Sequence, residues 1–201
     1  MKCSFLSCFF SLALLASIPF APAIAGDQLA KKLTPADARH EIRACDDLLK
    51  DKPYDGATFK RRADARVQLK DYKDAIEDYT KAVQLKAADA DVYYNRALAL
   101  LKTKEYKKAL ADCTTAIRLR PDDAGIYTLR GVARVMLSDN RNAISDFNKA
   151  LTFNTQLAEA YEYRGIAYAS INKQDEARAD LTKATEMNPE AAKTLRQYCK
   201  N

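Results

Sequence analysis

The chain has 201 residues and a formal charge of +6, with 48% hydrophobic residues, 5 glycines and 6 prolines. That length suits one core of ordinary size, and so little glycine and proline argues against a loop-rich fold. The basic excess is scattered along helical stretches rather than gathered in a stripe, which excludes nucleic acid as the expected partner.

Residues 1–25 stand apart. Lys2 supplies a positive start, residues 5–18 are almost wholly apolar, and Ala23-Ile24-Ala25 has the small-x-small form of a cleavage site before Gly26. The segment reads as a signal peptide. An uncleaved anchor is the alternative and the sole expected route to a membrane; Pro19 and Pro22 oppose it by interrupting the helix. No Asn-x-Ser/Thr sequon follows Gly26, which favours the periplasm over a eukaryotic secretory route.

Residues 26–55 comprise a lead-in and an N-terminal capping helix. Thr34-Pro35 starts that helix, a hydroxyl cap followed by a proline whose missing N–H costs nothing there. Ile42, Cys45, Leu48 and Leu49 give it one apolar stripe before Pro53 ends it.

From residue 56 the chain repeats every 34 residues. Phe59, Tyr93, Tyr127 and Tyr161 share one slot, and Arg62, Arg96, Arg130 and Arg164 another, each Arg followed by Ala63, Ala97, Gly131 or Gly165. Ala75, Ala109, Ala143 and Ala177 open a second helix, and Ala82, Ala116, Ala150 and Ala184 close it. Apolar spacings of three and four within each half mark an antiparallel pair of amphipathic helices.

An aromatic, a small residue and a second helix opened by Ala, at this period, resemble the tetratricopeptide repeat (TPR) family. The resemblance implies an all-α fold, a superhelical solenoid of four helix hairpins at residues 56–89, 90–123, 124–157 and 158–191. Residues 26–55 would contribute a half-repeat cap and residues 192–201 a short closing helix, with Leu195 in the next aromatic slot and Tyr198 beside it. Departures are visible: Ala87 and Thr155 replace the closing proline kept as Pro121 and Pro189, and Arg66 and Arg134 replace an aromatic kept as Tyr168.

The family has an apolar residue where this chain has Arg four times. Asp78, Asp112, Asp146 and Asp180 recur at the same period, each 16 residues after its Arg. Four ion pairs are expected: Arg62–Asp78, Arg96–Asp112, Arg130–Asp146 and Arg164–Asp180. Sequence leaves open whether an Arg pairs within its own unit or with the next.

Catalytic and metal chemistry finds little support. His40 is the single histidine and reads as a solvated helix residue. No phosphate loop or nucleophile elbow occurs, so no enzyme, metal or cofactor is expected. After residue 25 the cysteines are Cys45, Cys113 and Cys199. The first two fall in core slots, too far apart along a stacked array to bridge; Cys199 is expected to be the exposed thiol, open to an intermolecular disulfide.

In this family the first helix of each hairpin lines the concave face. The partner-binding residues expected there are Lys60, Tyr94, Asn95, Leu98, Leu101, Thr128, Val132, Met136, Glu162 and Ile166; Leu98, Val132 and Ile166 equally suit packing between units. Family members that hold chaperone C-termini use a clamp of Lys and Asn. Lys60 and Asn95 match two of its slots, but Asp64, Gly125 and Leu129 do not, so capture of a terminal carboxylate is not expected. The function expected is non-enzymatic protein binding, a periplasmic scaffold or adaptor taking a peptide or helix; the alternative is a structural module that self-associates into a homo-oligomer, such as a homodimer.

Overall fold

A computed structural model describes residues 33–199; the expected signal peptide and its cleavage site lie outside the described residues. Among the described residues there are ten α-helices and no strand. Helix α1 (Pro35–Asp51) precedes four hairpins: α2 (Gly56–Gln68) with α3 (Tyr72–Gln84), α4 (Ala90–Lys102) with α5 (Tyr106–Leu119), α6 (Ala124–Met136) with α7 (Asn140–Phe153), and α8 (Ala158–Ser170) with α9 (Gln174–Met187). A 3-10 turn, Pro189–Ala191, leads into α10 (Ala192–Tyr198). No described helix is long and apolar enough to cross a membrane.

Local chemistry sets the helix starts. Thr34 and Asp37 form a reciprocal capping box with Pro35 inside the first turn. The side chains of Asp55, Asp89 and Asp123 accept from the first free N–H groups of α2, α4 and α6. Leu157, at the head of α8, provides no such side-chain cap.

Inside each hairpin the turn residue is left-handed without being glycine: Lys70, Lys104, Ser138 and Asn172 have φ of 64°, 65°, 62° and 63°. The N–H of the following residue reaches back to the carbonyl of Arg66, Leu100, Arg134 or Tyr168. This six-to-one bond closes the first helix and aims the second one antiparallel to it.

Each second helix then packs on the first helix of the next hairpin. First helices also touch one another, α2 with α4, α4 with α6, α6 with α8 and α8 with α10, whereas no comparable packing joins the second helices. The array therefore curves with its first helices inside. Its largest core runs without a break from Ala97 on α4 to Ala167 on α8.

The small-residue slot is what lets each hairpin close. A Cβ built on Gly131 would lie 2.6 Å from the Phe147 ring, and one on Gly165 would lie 2.7 Å from Leu181 Cγ. Both ends of the array are covered: α1 packs on α2 with Cys45 buried, and α10 lies on α8 and α9 with Leu195 and Tyr198 turned to the fourth unit. That docking also buries Cys199 beside Ala177 and Leu181. The expectation of an exposed thiol there is therefore corrected, because the closing helix turns the cysteine inward.

Candidate functional site

The concave face is held in shape by the charge ladder beneath it. Arg62, Arg96, Arg130 and Arg164 each give Nε and Nη2 to both oxygens of the Asp in their own hairpin, at 2.6–3.0 Å. Two-point contact between a planar guanidinium and a carboxylate suits these largely buried positions.

The remaining nitrogen, Nη1, looks the other way along the array. It donates to Asp46 from Arg62, to Thr80 from Arg96 and to Asn148 from Arg164, each on the preceding second helix. Each Arg thus pairs within its own unit, and three of the four also tie to the unit before. The guanidinium carbons sit 5.3–5.7 Å from the rings of Phe59, Tyr93, Tyr127 and Tyr161. That stacking gives the recurrent aromatic a partner matched to the arginine.

Two residues of this network escape sequence reasoning. Arg66 and Arg134, read as lost aromatics, donate to Asp78 at 2.6 Å and to Asp146 at 2.7 Å. In the first and third units the aspartate therefore holds two guanidinium groups. The signal was present in the sequence: both arginines occupy one slot, two units apart.

On the concave face the ten expected residues divide. Leu98, Leu101, Thr128, Val132 and Ile166 are buried and form the floor of the face. Lys60, Tyr94, Asn95, Met136 and Glu162 are half-buried and remain above that floor.

The two residues matching the carboxylate clamp are engaged elsewhere. Lys60 is paired with Asp89 at 2.7 Å. Asn95 donates to Asp64, which also accepts from the Tyr79 hydroxyl. Burial raises the Asp64 carboxyl above its ordinary value, and an acid in that slot would repel a terminal carboxylate.

The fourth unit brings a residue that the sequence reading missed. Glu159, in the first turn of α8, is 7% exposed, and neither carboxylate oxygen has a hydrogen-bond partner. Burial, with Glu162 adding repulsion, pushes its pKa up to about 8, opposed by Lys102. Lys102 is itself lowered to about 8 by burial. Tyr94 on α4 and Tyr163 on α8 are held well above the ordinary phenol value, first by burial and then by the charge of Glu159.

Away from this face, His40 is exposed on α1, and Cys45, Cys113 and Cys199 are buried free thiols. Burial raises Cys113 and Cys45, which makes them poor nucleophiles. Among the described residues no group of three His, Cys, Asp or Glu side chains is placed to hold a metal ion.

A search of curated proteins found no match. Three family models did match: Tetratricopeptide repeat over residues 90–123, TPR repeat over 63–104, and Tetratricopeptide repeat over 158–191. The crystal structure of YrrB, a TPR protein with an unusual peptide-binding site, superposes with TM-score 0.73 at 20% identity, covering 81% of this chain and 84% of YrrB. The crystal structure of MamA protein gives 0.71 at 28% identity, over 83% of this chain and 91% of MamA. The Arabidopsis OM64 TPR domain is 30% identical, with TM-score 0.53, over 56% of this chain and 93% of that domain. A 34-residue period, helix hairpins with the first helix inside, and these matches agree: the chain belongs to the tetratricopeptide repeat family, a typically non-catalytic fold that serves as a scaffold for protein–protein interaction.

Proposed function

We propose that this protein is a non-enzymatic scaffold or adaptor of the periplasm whose concave face receives a peptide or helix of another protein. The observation that carries this is the layering of that face. Half-buried Tyr94, Asn95, Met136 and Glu162 stand over a floor of buried Leu98, Leu101, Val132 and Ile166. A rigid apolar floor with polar groups at its rim binds without reorganising first, so less ordering entropy opposes association. The peptide-binding site named for YrrB adds support for this use of the fold.

The test is capture from envelope extract with wild type, Tyr94→Ala and Met136→Glu side by side. The expected result is a defined set of captured proteins lost from both variants. An unchanged set would overturn the groove reading. Export is checked separately: the protein recovered from cells should begin at Gly26 by intact mass, and recovery with residues 1–25 still attached would contradict it.

A second reading, self-association, has its own observation. Leu119 and Phe153, at equivalent ends of α5 and α7, are 55% and 40% exposed. Light scattering across a hundredfold concentration range separates the two readings: a monomer throughout supports the groove, and a persistent dimer supports self-association.

A further inference from the structure

Glu159 is the least satisfied charged group on the concave face. It sits in the second position of its unit, the slot held by Ala57, Asp91 and Gly125 in the others. It is 7% exposed with both oxygens unpartnered. Its charge is felt by Tyr94 and Lys102 on α4, a helix separated from α8 by α6.

The surroundings select the sign of what would satisfy it. Glu162 and Tyr163 lie near it on α8, and Tyr94 and Lys102 face it from α4. Lys102 approaches without bonding either oxygen. Helix α6 turns Arg130 and Arg134 away to Asp146, with Tyr127 under Arg130. Glu162 accepts from Thr194 of α10, so its partner is a neutral hydroxyl. Two carboxyl groups and two phenol rings therefore converge here beside a single ammonium, Lys102, and carboxylates and ring faces both attract cations.

Resting on the groove reading above, we propose that Glu159 is the specificity residue of the concave face, meeting an arginine or lysine side chain of the bound polypeptide. An incoming guanidinium or ammonium would supply the missing hydrogen bonds and hold Glu159 ionised. Because the free carboxyl is pushed up to about 8, binding a basic side chain at lower pH must release its proton. Affinity for basic peptides then rises about tenfold per pH unit from 6 to 8.

The probe is a random 12-residue peptide library displayed on phage and selected against the full chain at pH 8. Enriched peptides are then synthesised with Arg, Lys, Gln or Glu at the conserved position and titrated against wild type and Glu159→Gln. Wild type should enrich one basic position and prefer Arg or Lys over Gln by roughly tenfold or more, and Glu159→Gln should erase that preference. The isosteric variant removes an uncompensated buried carboxylate, so its melting temperature at pH 8 should be no lower than wild type. The pH profile of wild type gives a second readout that needs no variant.

Binders that depend on Tyr94 and Met136 yet carry no basic position overturn this proposal and leave the groove reading standing. So does a preference that survives Glu159→Gln, or a flat pH profile. Binders indifferent to Tyr94→Ala and Met136→Glu, or no binders at all, overturn both.

Discussion

Single residues carry two kinds of charge in this molecule, satisfied and unsatisfied, and they respond to change in opposite ways. Asp112 is held by Arg96, whereas Asp146 is held by both Arg130 and Arg134. Arg96→Leu leaves a buried carboxylate without its cation and should cost about 3 kcal/mol. Arg130→Leu leaves Arg134 in place and should cost about half as much, so urea melts of the two variants should rank in that order. Equal costs would mean that the second guanidinium adds nothing. Glu159 is the opposite case. Its folded value of about 8 lies above the ordinary carboxyl value of 4.5, so the folded state keeps a proton that the unfolded chain gives up. The stability linked to that proton is whole below pH 4.5 and falls by ~1.4 kcal/mol per pH unit as pH rises through 8. Glu159→Gln should flatten this decline in melts taken from pH 5 to 9.

Helices and turns show what a period conveys and what it leaves out. Every aromatic, arginine, alanine and aspartate slot named from the 34-residue spacing lies on a helix, and the arginine and aspartate rows meet within each hairpin, because those features repeat and so declare themselves. Glu159 belongs to no row, and a lone acid near a helix start looks like an ordinary favourable end charge. The burial of Leu98, Val132 and Ile166 depends on how closely neighbouring first helices approach, a curvature that no single helix encodes. Cys199 is hidden by the docking of a seven-residue helix, which apolar periodicity at a chain end does not determine. Two substitutions test the hairpin geometry. Gly131→Ala, ordinarily a gain of about 1 kcal/mol in a helix, should instead lose about 1 kcal/mol, since the added methyl meets the Phe147 ring at 2.6 Å. Lys104→Gly should gain about 0.5 kcal/mol by relieving a side chain held at φ 65°. Calorimetry that found Gly131→Ala stabilising would show the pair looser than its geometry states.

At the scale of the whole molecule the ladder and the groove are two sides of one arrangement. Arginines tie each hairpin together, and three of them also hold the preceding unit, fixing the stagger from one unit to the next. A fixed stagger keeps the first helices at constant curvature and the concave floor in one shape. Affinity would then come from Tyr94 and Met136, which stand above that floor, and selectivity from Glu159, a buried acid whose oxygens have no hydrogen-bond partner among the described residues. Leu119 and Phe153, at the ends of α5 and α7, offer the competing surface. The most direct discrimination is an amide chemical-shift map of the isotope-labelled protein titrated with a peptide selected from the library. The groove account predicts shifts gathered at Tyr94, Asn95, Met136 and Glu159 on α4, α6 and α8. Shifts gathered instead around Leu119 and Phe153 on α5 and α7, with the first helices unmoved, would contradict it.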